Sequence, residues 1–304
     1  MGELVKGVTL RRAAEFIEKA ELRHFGWYLL GSWDGTEVIR QEVPAGKRFG
    51  LRPQEGWSAL ECFYLLKGEV LWEGGEPPLT LSPGDYLVAS PAQEPCILRA
   101  LTDASLLYVC SQPSFHMVSD QVAYLQRLSV SVETKDGYTE DHCRRIRDLS
   151  MRIGQRLKLD PVGQFHLFHG SYLHDLGKVA VPDGILQKPG GLTAEEWRIM
   201  REHPLTGGRM LAGTAVAGAA AILEQHHERL DGSGYPRGLT GDQICLEAQI
   251  VAVVDSFDAM TTDRVYRKAV PVEAALEELN REAGRLYNPA VVSLLGEILE
   301  EGVA

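Results

Sequence analysis

The sequence has few of the features that mark several large classes of protein. Its five cysteines lie far apart with no C-x-x-C spacing, so neither a zinc knuckle nor a disulfide framework is predicted. No segment reaches about 18 uninterrupted apolar residues, and the charged N-terminus does not resemble a signal peptide, so we expect no membrane span. The formal net charge is −11, which argues against a broad basic face for duplex nucleic acid. These absences predict a cytoplasmic protein.

Two patterns divide the chain, and its 304 residues are enough for two domains. Up to residue 112, short apolar runs alternate with turn dipeptides such as Asp34-Gly35 and Pro83-Gly84, which is typical of an all-β sandwich or barrel. Residues 10–23 are an exception, because their apolar side chains recur at helical spacing. They predict a short amphipathic helix ahead of the strands.

From Tyr138 onward, helical spacing dominates. Thr193 to Glu196 has the form of a capping box, and Pro271 and Pro289 suit first helical turns. We therefore predict a multidomain protein with an all-β barrel over residues 1–112 and an all-α bundle over residues 133–304. Residues 113–132 are predicted to form a linker helix, and the alternative is that they form the first helix of the bundle.

Two strings in the β region, Glu61 to Gly68 and Ser82 to Asp85, resemble the two characteristic segments of cupin barrels. Metal-binding cupins have an H-x-H pair just ahead of the glutamate, where this chain has the sequence P-Q-E-G-W at residues 53–57. We therefore expect no cupin metal site and interpret Glu61 as a solvated or hydrogen-bonded strand residue. The resemblance implies a sensor or dimerisation module, which leaves a homodimer open.

The aromatic residues of the β region have two interpretations. They are enough to line a small-molecule pocket, but we interpret most of them as core. They are Trp27, Trp33, Trp57, Phe63, Tyr64 and Trp72.

Histidine is unevenly distributed, because most of the nine lie between residues 142 and 227. That stretch contains the string H-D-L-G-K at 174–178 and the string H-H-E-R-L-D-G-S-G-Y-P at 226–236, and Asp255 follows. Adjacent histidines cannot share one helix face, so His226 and His227 would reach different points of a site. By these motifs, the region from Val130 to the C-terminus resembles the HD-GYP phosphodiesterases.

The resemblance implies a metal-dependent enzyme that opens cyclic di-GMP to pGpG, and onward to GMP, under control of the N-terminal region. Nothing in the ligand set identifies the base, so a hybrid cyclic dinucleotide such as cyclic GMP-AMP is the alternative substrate. A module that senses a nucleotide or recruits a partner, with weak catalysis, is the other alternative. Carried over position by position, the family's metal ligands are His142, His174, Asp175, His203, His226, His227 and Asp255.

These ligands offer only nitrogen and carboxylate oxygen, which suit two divalent ions of iron or manganese better than a thiolate zinc site. Asp175 directly follows another ligand, so we predict that it bridges the two ions and is catalytic. The family positions also assign Lys178, Arg264 and Arg267 to the substrate phosphates, with Lys178 supporting the nucleophile or the departing oxygen. Tyr235 is predicted to contact the substrate from the Gly-Tyr-Pro turn.

Two further predictions follow from spacing around these ligands. Asp258 lies three residues after Asp255, on the same helix face, and is predicted to orient a histidine. Family members with three ions have a glutamate four residues before the first ligand histidine. Here Tyr138 stands at that distance from His142, and a phenol is a poor ligand for a divalent ion. The sequence therefore predicts two ions.

Overall fold

The computed structural model describes residues 2–5, 8–22, 25–53, 57–74, 77–137, 140–263 and 268–301. The chain divides into two units, one of residues 1–120 with 213–215 and one of residues 121–212 with 216–304. The first unit is built from strands and the second from helices, so the predicted fold class is confirmed. The domain boundaries at residues 112 and 132 stay predictions.

The first unit contains antiparallel strands. They are β1 (Gly2–Val5), β2 (Val8–Leu10), β3 (Glu18–Leu22), β4 (Phe25–Trp33), β5 (Thr36–Val43), β6 (Arg48–Leu51), β7 (Glu61–Lys67), β8 (Val70–Trp72), β9 (Leu79–Leu81), β10 (Tyr86–Ala89), β11 (Cys96–Ala100) and β12 (Ala104–Cys110). Within the described residues they form a pair β1-β2, a sheet in the order β10-β7-β12-β5-β4-β3 and a sheet in the order β6-β11-β8-β9.

The two larger sheets pack against each other through buried side chains. β5 and β12 bury every second residue, as expected where one face of a strand meets a core. Phe49 of β6 packs edge-on against Phe63 of β7, with ring centroids 5.9 Å apart. Glu61 is buried among these residues and accepts hydrogen bonds from Trp57 Nε1 (3.0 Å) and Tyr108 Oη (2.5 Å). Its carboxylate is therefore satisfied by protein donors.

The helix predicted over residues 10–23 is wrong. Within the described part of that stretch, residues 13–14 form a turn and Glu18–Leu22 form β3, which pairs with β4. Glu18 and Ala20 are both buried, so the period of burial is two residues. Pairing with β4 overrides a weak helical preference, because tertiary context commonly outweighs propensity.

The segment that follows β12 also differs from the prediction. A 3-10 turn occupies Phe115–Met117, and the first α-helix begins only at Asp120. The backbone N–H groups of Ser114 and Phe115 donate to the buried carboxylate of Glu37 at 2.7 Å and 2.8 Å. These bonds hold residues 114–115 in the first unit and delay the helix. Of the aromatic residues that were interpreted mostly as core, Phe63 is buried, whereas Trp33 and Tyr64 are exposed.

The second unit is helical. Its helices are α1 (Asp120–Lys135), α2 (Glu140–Arg156), α3 (Pro161–Leu173), α4 (Asp183–Leu186), α5 (Ala194–Met200), α6 (His203–Met210), α7 (Ala220–Gln225), α8 (Leu246–Thr261), α9 (Val272–Glu282) and α10 (Pro289–Glu301). Buried residues such as Ile146, Leu167, Val254 and Leu295 join α2, α3, α8 and α10 in one core. None of the helices in the described ranges has the length and hydrophobicity needed to cross a bilayer.

Residues 120–304 are expected to fold without the first unit, because the helical unit has a continuous core of its own. The fragment should show a helical circular dichroism spectrum and one cooperative thermal transition. An insoluble fragment, or a transition without cooperativity, would mean that the two halves of the chain share a core.

Candidate metal centre

The predicted ligand side chains come from separate segments of the helical unit, and most of them converge on one buried place. Their segments are α2 for His142, the end of α3 for His174 and Asp175, the start of α6 for His203, the end of α7 for His226 and His227, and α8 for Asp255. Asp255 lies at the margin, with its Oδ1 4.0 Å from His174 Nε2.

The ligand atoms form two groups, each with its atoms within 4.8 Å of one another. The His226 group consists of Asp175, His203, His226 and His227. The His142 group consists of Glu133, His142, His174 and Asp175. Asp175 belongs to both. Its Oδ1 lies 3.1 Å from His203 Nε2 and its Oδ2 lies 3.3 Å from His174 Nε2. The two oxygens of one carboxylate therefore face different groups.

Local hydrogen bonds orient three of the rings. The Nδ1 atoms of His174, His203 and His226 lie 2.9, 2.8 and 2.7 Å from the carbonyl oxygen three residues earlier. A carbonyl can only accept, so each Nδ1 donates and each Nε2 is the nitrogen that faces the centre and can coordinate an ion once it carries no proton. Within the described structure, these three Nε2 atoms and Asp175 Oδ1 are buried without a hydrogen-bond partner. Such atoms are costly unless something else binds them, so the donor set fits divalent ions.

The fourth ring is oriented from another helix. His142 Nδ1 lies 2.7 Å from Asp258 Oδ2, and Arg145 Nε donates to Asp258 Oδ1 at 2.5 Å. Burial raises the pKa of Asp258, but the hydrogen bonds from His142 and Arg145 outweigh it and lower that pKa to about 2. Asp258 is therefore ionised and can hold the His142 ring in place.

Negative charge is concentrated in the His142 group. Burial lowers the pKa of His174, but the carboxylates of Asp175, Asp255 and Glu133 outweigh it and raise that pKa to about 9. In the His226 group the effect of burial outweighs that of the nearby carboxylate, and it lowers the pKa of His226 to about 4. A cation is thus strongly favoured beside His174, while the His226 ring stays neutral and able to coordinate.

Lys178 reaches the same centre through two carboxylates. Its Nζ lies 2.7 Å from Asp175 Oδ2 and 2.5 Å from Asp136 Oδ2. Burial lowers the pKa of Lys178, but Asp175, Glu133 and Asp136 outweigh it and raise that pKa well above its usual value. A fixed positive charge therefore lies at the edge of the centre.

Glu133 is the residue that the sequence prediction missed. It lies on α1, is 0% exposed, and neither carboxylate oxygen has a hydrogen-bond partner among the described residues. Its Oε2 is 3.8 Å from His142 Nε2, and burial raises its pKa to about 7. No motif marks Glu133 in the sequence, and the structure identifies it because it lies four residues after Ser129 on the buried face of α1.

The turn after His227 is shaped by backbone contacts. The buried carboxylate of Glu228 accepts the N–H groups of Arg237 (2.7 Å) and Leu239 (3.0 Å). A Cβ on Gly234 would lie 2.4 Å from the backbone nitrogen of Arg229, so only glycine fits there. The ring of Tyr235 stacks on His227 with centroids 4.6 Å apart. Tyr235 is thereby fixed beside the His226 group.

Glycine is also required between Asp175 and Lys178. A Cβ on Gly177 would lie 1.9 Å from the carbonyl oxygen of His203 and 2.5 Å from the nitrogen of Gly207. The 3-10 turn Leu176–Ala180 therefore packs backbone to backbone on α6. This close approach brings Asp175 and His203 together.

Three positions named from the sequence lie outside the described residues. They are Arg264 and Arg267, predicted to bind phosphate, and Tyr138, on which the two-ion prediction rests.

Sequence comparison agrees with this arrangement. The HD domain family matches residues 126–291. The chain is 41% identical over 174 residues to "Cyclic di-GMP phosphodiesterase response regulator RpfG" of Xanthomonas campestris, covering 56% of this chain and 46% of that protein. It is 38% identical over 180 residues to "3'3'-cGAMP-specific phosphodiesterase 2" of Vibrio cholerae, covering 58% of this chain and 34% of that protein. The match thus spans half or less of each relative.

A solved structure of another kind also aligns with part of the chain. A cupin superfamily protein from Desulfitobacterium hafniense aligns with 30% of this chain and 79% of its own, at 17% identity and a TM-score of 0.24.

Gly177→Ala should lower the free energy of unfolding by about 1–3 kcal/mol, because the new methyl group overlaps the His203 carbonyl. It should also reduce bound manganese, because His203 must move. Gly184→Ala on α4 is the matched control, since its Cβ meets no atom within 4 Å, and it should be neutral or slightly stabilising. Urea denaturation and elemental analysis measure both effects. Equal stability and metal content in the two variants would contradict the close packing.

Proposed function

We propose that this chain, which belongs to the HD domain family, hydrolyses a phosphodiester bond of a cyclic dinucleotide. The observation that carries the proposal is the position of Asp175, whose two buried oxygens face two separate groups of ligand atoms. A carboxylate shared between two ions would hold them close enough to act on one phosphoryl group, as in two-ion hydrolytic sites. An altered module that only binds a nucleotide would not need both groups to be filled.

His203, His226, His227 and Asp175 would hold one divalent ion. A second divalent ion would be held by His142, His174, Glu133 and the other oxygen of Asp175. Asp255 lies beside His174. Such ions polarise phosphoryl oxygens and lower the pKa of a bound water. Imidazole and carboxylate ligands without thiolate favour iron or manganese. Two ions remain our expectation, because the ligand atoms of the described residues form two groups.

The substrate's charge has to be met by groups outside the ligand set. Lys178 is held by Asp136 and Asp175, which keeps its ammonium directed at the centre, where it can stabilise a phosphoryl or departing oxygen. Tyr235, stacked on His227, borders the same place and can contact a base or ribose. Arg264 and Arg267 stay predicted phosphate ligands, because guanidinium groups match phosphate oxygens in pairs.

Cyclic di-GMP is the first substrate to test and the hybrid cyclic GMP-AMP is the second. The relatives carry both names, and the metal ions would contact the phosphates, which the two compounds share. A cytoplasmic location is supported by the five cysteines, all of which are free thiols. A homodimer stays a prediction.

Asp175→Asn should abolish hydrolysis and release at least one metal equivalent, because a neutral amide cannot bridge two cations. Product formation from cyclic di-GMP and cyclic GMP-AMP is followed by chromatography, and metal content by elemental analysis. Asp148→Asn, at an exposed aspartate of α2, is the control and should behave as wild type. Wild-type turnover by Asp175→Asn would refute the bridge. An inactive wild type with two bound ions would refute the substrate class and leave the site intact.

Glu133→Gln should weaken metal binding in the His142 group by about 10–100-fold and leave the His226 group filled. The substitution keeps size and removes charge, and Glu195→Gln at an exposed position of α5 is the control. Anomalous scattering from manganese-loaded crystals locates each ion. Full occupancy beside His142 in the variant would exclude Glu133 as a ligand, and three strong peaks in the wild type would end the two-ion prediction.

A further inference from the structure

A cavity of about 720 Å³ lies in the first unit. It is formed by the segment ahead of β3, by the end of β4 and by one residue of β5. Its lining includes Arg11, Arg12, Arg40, Leu30, Gly31 and Trp33. The volume falls in the range of about 300–1,000 Å³ that is usual for small-molecule sites.

The lining is positive although the whole chain has a net charge of −11. Arg11, Arg12 and Arg40 line the cavity, and Glu15 is the acidic residue among its lining residues. Part of the charge of Glu15 is already engaged, because its carboxylate accepts the backbone N–H of Arg12 at 3.0 Å. Positive charge gathered around a cavity on an acidic protein favours an anionic ligand.

Arg40 is held in position before any ligand binds. Its Nη1 donates to the carbonyl oxygen of Ala13 at 3.1 Å, and its guanidinium lies 4.6 Å from the centroid of the Tyr28 ring. Glu42 lies 3.3 Å from Arg40 Nε and offsets part of the charge. Side chains fixed in this way lose little freedom on binding, which favours affinity.

The backbone of β4 is irregular beside the cavity. The pairing of β4 with β5 shifts register between Leu29 and Gly31, so Leu30 is an extra residue in a β-bulge. Bulges often lie beside binding sites because they leave backbone groups unpaired. A Cβ on Gly31 would meet no atom within 4 Å, so this part of the strand faces open space and a ligand can approach its backbone.

Trp33 lies at the mouth of the cavity and is 86% exposed. A large aromatic side chain so far from any core loses the benefit of burial. Its flat face is available for stacking on a ligand ring.

We propose that this cavity binds a small anion that combines a phosphate group with an aromatic ring, the chemistry of a nucleoside monophosphate. The guanidinium groups contact the phosphate, since their paired donors match its oxygens. Trp33 stacks on the ring. The site consists entirely of residues of the first unit, so it does not depend on the phosphodiesterase proposal.

Isothermal titration of the full chain with GMP, guanosine and ribose 5-phosphate tests both parts of the ligand. GMP should bind best, ribose 5-phosphate at least tenfold more weakly, and guanosine more weakly still. Guanosine binding as tightly as GMP would overturn the role of the arginines. Ribose 5-phosphate binding as tightly as GMP would overturn the role of Trp33, and no binding of GMP would overturn the site.

Gly31→Phe should abolish this binding event by filling the cavity, and Gly31→Ala should retain it. The space around a Cβ at position 31 is open for both substitutions, and equal thermal transitions verify that both variants fold.

Arg11→Gln with Arg12→Gln should weaken GMP binding at least tenfold, whereas Arg52→Gln, an exposed arginine of the same unit, should not. Unchanged GMP binding in Gly31→Phe would place the event elsewhere, including at the metal centre. Equal weakening by Arg52→Gln would show general charge attraction and overturn the proposal, and the arginine variants decide the matter if Gly31→Phe does not fold.

Discussion

The burial of the Asp175 carboxylate is the constraint on which the helical unit depends. A buried charge is tolerated only when partners surround it, because desolvation costs more than any single contact returns. Here Lys178 Nζ lies at 2.7 Å, and the rings of His174 and His203 lie near different oxygens of the carboxylate. Burial raises the pKa of Asp175, but Lys178 and His174 outweigh it and keep that pKa well below its usual value. One ionised group thus gathers side chains from the end of α3, the start of α6, the end of α7 and the 3-10 turn Leu176–Ala180.

Several residues of the sequence motifs around that carboxylate allow segments to pack closely and take no part in the chemistry. Gly177 and Gly234 are needed because another backbone segment occupies the space of a side chain. Glu228 binds two backbone N–H groups of the following turn, so it shapes the loop that carries Tyr235. The motifs therefore contain two kinds of residue. Some are metal ligands, and others allow the segments that carry these ligands to pack closely.

The fold and the site were predictable to different degrees. Turn dipeptides and helical spacing were enough for the two fold classes, because they depend on neighbouring residues. They failed at residues 10–23, where β4 decides the conformation. Histidines in named motifs could be placed because the motif states their role. Glu133 could not be assigned to the site from the sequence, since a glutamate on a helix is ordinarily solvated. Only the packing of α1 shows that it is buried. Asp136 became evident only from its contact with Lys178.

The hydrogen bonds from His174, His203 and His226 to carbonyl oxygens three residues earlier have a consequence for ion exchange. Each ring is oriented by its own helical turn, so its direction is independent of whether an ion is bound. An incoming ion then does not have to immobilise these side chains. Ordering a rotamer-rich side chain on binding costs about 0.5–1.5 kcal/mol of free energy. If ions bind here as proposed, they would leave and return without rearranging the rings, and the metal in the centre should reflect its supply in the surroundings.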